Sequence, residues 1–250
     1  VVGCDPYQVF GRLLKGGPRY SDWQARLDLR LSTVSAFMLH LGIHHDLAQI
    51  ARYRCNVWSY RRGHIDAYYE RVMKGHIDWG LDTFLFYTVP SFRDPTLVPP
   101  GHHSVQVIIF APYYDRAAWE QYKVPLARDV MGRLEQYLPG VRDWVEVEQI
   151  ATPTTLVKYT WNHRGAMYGW APVPGGVSRT DLMPEMPLDG LYLTGQWADI
   201  PGYGGLPTVV ASGKNTARLV LRRLRQVSAR VDSPEYSEMG LVGSSGALGG

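Results

Sequence analysis

LDGLYLTGQWADIPGYGGLP, residues 188–207, is the stretch on which the reading of this chain turns. A short apolar run, Leu191 to Thr194, stops at Gly195. Glycines recur at 202, 204 and 205, and Pro207 then opens an apolar-periodic segment reaching Arg225. Proline fits the first helical turn, where its missing N–H has no partner to lose. The pattern therefore predicts strand, tight turn, glycine-rich loop and helix start. A helix N-terminus carries partial positive charge and free N–H groups, and glycine lets backbone come close to a ligand. Such a unit holds a phosphate or the electron-rich edge of a flavin, or it is a plain strand-to-helix turn. It is not a dinucleotide fingerprint. G-x-G-x-x-G needs a third glycine where this chain has Pro207, and no such motif opens a helix anywhere in the sequence.

Outward from this stretch, strands are expected over Ser35 to Ile43, Thr83 to Val89, His103 to Pro112 and Trp144 to Ile150. The first three are dense in apolar, aromatic and β-branched residues. The last alternates apolar and polar, as a strand with one wet face does. Helices are expected from Asp5-Pro6 to Leu14, over Gly63 to Met73, and over Arg116 to Leu138, where Pro125 should kink or divide the helix. Val1-Val2 reads as the end of a buried strand, and residues 226–250 read as a flexible tail. Strands and helices mix without a βαβ rhythm, which points to an α+β layer with a mixed sheet.

At 250 residues the chain is long enough for a core of its own. Its 45% hydrophobic and 20% charged residues fit a globular protein rather than a disordered, collagenous or coiled-coil one. Two cysteines, Cys4 and Cys55, exclude a disulfide framework and a four-cysteine zinc site. A net charge of +3 gives nucleic-acid binding no support. No apolar run reaches 18 residues, so no membrane span is expected, and residues 1–6 do not read as a signal peptide. The placement expected is cytoplasmic, with peripheral membrane contact if the substrate is a lipid.

Other constellations favour ordinary roles. His40, His44 and His45 lie along and just after a strand, and His102-His103 follows Pro-Pro-Gly. Both groups read as plain polar histidines, so no metal is assigned. Ser212-Gly213 lacks a nucleophile elbow and reads as a small pair for close helix packing. Trp161, Tyr168 and Trp170 are read either as core or as the wall of a tunnel for an apolar substrate. His163 and Arg164 read as a solvated loop, and no catalytic acid or base is assigned.

The set of short stretches resembles a known family. DPYQVFGRLL (5–14), SAFMLHLGI (35–43), FRDPTLVPPGHH (92–103), LPG (138–140), ATPT (151–154), GAMYGW (165–170) and the glycine-rich segment follow one another in the order of the phytoene desaturase and carotenoid isomerase group, which includes retinol saturase-like proteins. The resemblance spans about residues 1 to 225. It implies an FAD-dependent oxidoreductase of the amine oxidase superfamily. Residues 1–14 and 188–225 would belong to the Rossmann-like FAD domain, and 15–187 to the substrate domain.

On that resemblance the cofactor is FAD. Gly195, Gln196 and Trp197 would approach its ribityl and pyrophosphate region, and Gly202, Tyr203, Gly204, Gly205 and Leu206 would pass its ring. Pro207, Thr208 and Val209 would set the helix N-terminus against the pyrimidine carbonyls. Where many related flavoproteins carry an acid after the strand glycine, this chain has Gln196. The substrate implied is an apolar isoprenoid or polyene, facing Tyr168, Trp170 and Trp161. The adenosine-binding half is missing from the sequence, and with the opening Val1-Val2 this suggests a cut or subunit boundary in a larger flavoprotein. A partner chain carrying that half is expected, in a hetero-oligomer. Two other outcomes stay open: a non-enzymatic carotenoid- or lipid-binding subunit, and an amine-oxidase-like enzyme.

Overall fold

The computed structural model describes residues 1–15, 25, 27, 31–60, 63–77, 79, 80, 83–171, 186, 188–198 and 204–231. Gly202, Tyr203 and the expected tail from 232 onward lie outside them.

A five-stranded sheet organises the chain: β1 (Ser35–Ile43), β2 (Val57–Ser59), β3 (Leu85–Thr88), β4 (His103–Ala111) and β5 (Val145–Ala151), in the order β2-β3-β4-β1-β5. Every pairing in it is antiparallel. The fold is α+β as expected, but the expected mixed sheet is an antiparallel one. Helices lie in the connections from β2 to β3 and from β4 to β5, yet no two neighbouring strands run parallel.

Side-chain alternation gives the sheet two different faces. Phe37, Leu39, Leu41, Ile43, Val105, Val107, Ile109 and Ala111 point to one face and are buried. A long helix, α3 (Arg116–Glu135), covers that face with Trp119, Leu126, Val130 and Leu134. Pro125 does not divide it. One lost backbone hydrogen bond is outweighed by apolar anchors on both sides of the proline, each worth about 1.5–3 kcal/mol when fully buried. Asp115 caps its start, accepting from the Ala118 N–H at 2.8 Å.

The opposite face is half-covered. Helix α2 (Ile65–Met73), following the short α1 (Pro6–Gln8) in chain order, packs Tyr68 and Val72 there against Val34, Phe84 and Phe110. Strand β5 is exposed along most of its length on both faces, not one, because it is the edge strand with no layer over it.

Helix α4 (Pro153–Thr160) follows β5, and α5 (Leu206–Val231) closes the described chain. The expected α1 helix continues through Val9–Leu13 as a π-helical turn. Val1 is 67% exposed, and the expected strand ends there are reduced to one parallel bridge between Val2 and Leu193.

Candidate functional site

The N-terminal segment, the stretch 163–171 and the return segment 188–198 meet in a second apolar cluster. Phe10, Leu27, Ala166, Trp170, Leu193, Trp197 and Ala198 form it, with Val2, Tyr7 and Leu14 packed against them. Backbone pairing aligns the two ends of the chain. The Val2 N–H donates to Tyr192 O at 2.8 Å, and the Thr194 N–H donates to Val2 O at 2.9 Å. Helix α5 is tied to the same place, for Ser212 Oγ accepts the Gly195 N–H at 3.1 Å and Thr216 donates to Leu193 O at 3.1 Å. Ser212 is thus a buried tether between helix and strand, consistent with the small-residue reading.

Close approaches fix the glycine loop against 165–170. Gly195 turns at φ +91°, which a side chain rarely adopts. A Cβ on Gly204 would sit 2.9 Å from Tyr168 Cα and 3.2 Å from the Gln196 side-chain oxygen. So Gln196, Tyr168 and Gly204 touch, and the structure brings together residues 36 positions apart. Tyr168 is half-buried, and burial raises its phenol above the ordinary value.

The aromatics separate into different roles. Trp170 and Trp197 are each 1% exposed and meet edge to face at 4.9 Å. Trp170 donates to Trp197 O at 3.1 Å, and Trp197 donates to the Asn162 side chain at 3.1 Å. Both rings are enclosed by protein and pack the junction. Trp161 is exposed, in the left-handed region at φ +60°, with the Arg12 guanidinium 4.0 Å over its ring.

The helix start is open. Leu206 is 83% exposed. The Thr208 and Val209 N–H groups both donate to Gly205 O at 3.1 Å. A Cβ on Gly205 would meet only Pro207, at 3.8 Å.

Beside the junction lies a cavity of about 600 Å³, bounded by the start of β1, the end of β4, the end of α2, and Tyr7, Tyr113, His163 and Arg164. His163 stacks on Tyr7 with centroids 4.0 Å apart, and Tyr7 donates to Leu27 O at 2.7 Å. Arg164 sits at φ +52°, so a cation is held at the cavity by strained backbone. Sequence reading took His163 and Arg164 for a solvated loop; the stretch instead turns into the cavity wall. Strain of this kind leaves no trace in residue type.

Beneath His163 is Asp5, 1% exposed. Its carboxylate accepts the Tyr7 N–H at 2.7 Å and the His163 N–H. Burial pushes its pKa up to about 6 despite these bonds. The folded chain thus holds a proton on Asp5 that the unfolded chain releases near pH 4. Stability from this group is full below that value and is lost as pH rises through about 6, on the order of 2–3 kcal/mol. Denaturant melts from pH 4 to 7 should show this fall, and Asp5→Asn should flatten it.

Comparison with known proteins follows this geometry. No family model matches the chain. A phytoene desaturase (lycopene-forming) of Pseudescherichia vulneris is 27% identical over 228 residues, covering 89% of this chain and 44% of that protein. Prolycopene isomerase 2 of an Oncidium hybrid cultivar is 30% identical over 129 residues, 48% of this chain and 21% of the isomerase. The chain is thus similar to phytoene desaturases and carotenoid isomerases. A mouse pyridine nucleotide-disulfide oxidoreductase domain-containing protein 2 is 33% identical over 153 residues, covering 56% of the chain and 25% of that protein. The chain spans less than half the length of these curated proteins.

Among its described residues, no helix is long and apolar enough to cross a membrane. One cluster, His44, His102 and Glu146, stands apart from the junction. Sequence reading treated these histidines separately because 58 residues divide them; only the strand order could have joined them.

Proposed function

We propose that this chain is the C-terminal part or a subunit of an FAD-dependent oxidoreductase of the desaturase, saturase or isomerase type, acting on an apolar polyene or isoprenoid. The observation that carries this reading is the junction itself. The two segments that the family assigns to its FAD domain, 1–14 and 188–225, are paired to each other through Val2 and Leu193, and Tyr7 of the first lines the cavity.

The residues present fit the near side of a flavin. Gly205 leaves open space and the start of α5 is bare, so ligand can approach where the helix dipole is positive. Gly195, Gln196, Gly204 to Leu206, Pro207, Thr208 and Val209 would line it. When bound, the flavin would accept or deliver the electrons of the reaction. The 600 Å³ cavity is within the usual size of ligand sites, and its lining mixes Val34, Val72 and Met73 with Ser32, Thr33 and Lys74. The Tyr7–His163 stack stands at the cavity, and Tyr168 stands against Gly204 of the glycine loop.

The far side would come from a segment carrying the dinucleotide fingerprint, in the same polypeptide or in a partner chain. Helix α5 supports this. Leu206, Val210, Leu221 and Leu224 are 83%, 70%, 53% and 58% exposed. They follow helical spacing with Gly213 and Ala217 between them, an apolar face uncovered among the described residues. Co-expression with a chain carrying G-x-G-x-x-G should yield a yellow complex with about one flavin per pair. A colourless complex would sink the redox reading, and bound polyene without flavin would favour a carrier. Leu221→Asp with Leu224→Asp should cut co-purification at least tenfold, since a buried apolar contact is replaced by unpaired charge.

A further inference from the structure

At the end of the sheet opposite the cavity, three ligand-type side chains converge. His44 directly follows β1, His102 directly precedes β4, and Glu146 is the second residue of β5. Strand β1 lies between β4 and β5 and is antiparallel to both, so its end meets both their starts. His44 Nδ1 lies 3.1 Å from one carboxylate oxygen of Glu146, and His102 Nε2 lies 3.2 Å from the other. The two imidazoles stack with centroids 4.3 Å apart and planes 6° apart. The three ligand atoms all lie within 4.8 Å of one another.

These spacings suit a metal ion. Zinc bonds of about 2.0–2.2 Å to nitrogen and oxygen place neighbouring ligand atoms of a tetrahedral site about 3.3 Å apart. Each imidazole nitrogen already lies about that far from one of the two Glu146 oxygens, and rotation of the stacked rings, whose lone pairs run parallel, would turn both nitrogens onto one ion. The tautomer points the same way. His102 Nδ1 lies 3.0 Å from Pro100 O, an atom that only accepts, so Nδ1 carries the hydrogen. Its Nε2 faces the Glu146 carboxylate at 3.2 Å. A ligating histidine whose other N–H is held by a carbonyl is the usual outer-shell arrangement of metal sites. The turn that presents His102 is fixed by Gly101 at φ +77° and by the His102 N–H donating to Pro99 O at 3.1 Å.

We propose that His44, His102 and Glu146 form a divalent-metal site for zinc or a similar nitrogen- and oxygen-binding cation, tying together the ends of three strands. Open coordination would be completed by water, as three-ligand sites keep one position free. Eight residue steps along β1, about 26 Å, separate it from the cavity end of the sheet, so it clamps the sheet rather than takes part in the proposed redox chemistry. His45, stacked on Trp144 at 3.8 Å, and His103, 2.8 Å from Ser91 Oγ, are held by other partners.

The test is calorimetric titration of the tag-free chain with zinc alone, with cobalt as a visible-absorption probe. The expected result is one saturable equivalent of zinc and cobalt bands of low coordination number. His44→Ala and Glu146→Gln should each weaken zinc at least tenfold, while His76→Ala leaves it unchanged. Absence of saturable binding, or equal affinity in wild type and both ligand variants, overturns the proposal. Should a variant misfold, zinc protection of the wild-type histidines from acylation decides. Protection confined to His44 and His102 supports the site, and protection of none, or of His64 and His76 alike, refutes it.

Discussion

Gly169→Ala is expected to destabilise the chain by about 3–4 kcal/mol and to unseat the return segment from the stretch 165–171. Gly169 stands at φ +76°, and a Cβ there would lie 2.2 Å from the carbonyl oxygen of Gln196. The obstacle is backbone, so no side chain can rotate away. Gly169 cannot retreat either. Its carbonyl accepts the Thr33 N–H at 2.8 Å, Thr33 Oγ1 accepts the Tyr168 N–H at 3.0 Å, and the Ala171 N–H donates to Leu31 O at 2.8 Å. Gly190 provides the control. It has nearly the same φ, +79°, with nothing within 4 Å of the added carbon. Gly190→Ala should therefore cost only the conformational part, about 1 kcal/mol. Melts followed by the fluorescence of the buried Trp170 and Trp197 should place Gly169→Ala roughly 10 °C below wild type. Equal losses in the two variants would show that the contact with Gln196 does not hold the junction.

Asp129→Ala should cost about 3–5 kcal/mol, because it strands a buried guanidinium. Arg133 is 1% exposed. Its Nε donates to Asp129 at 2.9 Å, its Nη2 donates to the same oxygen, and its Nη1 donates to Phe84 O at 3.2 Å. Asp129 also accepts the Gly80 N–H at 3.0 Å. One turn of α3 is thereby fastened to the chain entering β3. Removing the carboxylate takes the Asp129 counter-charge from the buried guanidinium. Replacing both, as Asp129→Leu with Arg133→Met, should recover most of the loss, because an apolar pair of similar volume carries no desolvation cost. Urea denaturation of wild type, both single variants and the double variant measures this; additive losses would contradict the coupling.

Local patterns announced β1 with its full extent, Ser35–Ile43, because nine apolar-dense residues satisfy a strand wherever they are placed. The starts of α3 and α5 were legible for a similar reason, since Asp115 and Pro207 act on their own neighbours. The three-residue strand β2 and the helix α4 were not. Three residues carry no period, and α4 depends on Thr152 and Thr155 bonding each other's backbone as a capping box. Nor could period tell that the sheet is antiparallel throughout, because alternation says which face a residue takes and not which neighbour it meets.

The glycine loop was visible as a loop, and its ordered companions named the family. What its residues touch was not visible. Trp170 and Trp197 were as plausible at a cavity as in a core; their placement at 1% exposure follows from Val2 pairing with Leu193, a contact across nearly the whole described chain. His44, His102 and Glu146 show the same limit. The sequence by itself determined the α+β composition, the main strands and helices and the family resemblance, because these rest on interactions within a few residues or on the order of short stretches. Only the tertiary structure decided the sheet order, the joined chain ends, the cavity at Tyr7 and Arg164 and the histidine–glutamate cluster. Each of these is a meeting of strand ends or segments distant in the chain, and side-chain type carries no record of which distant backbone will arrive beside it.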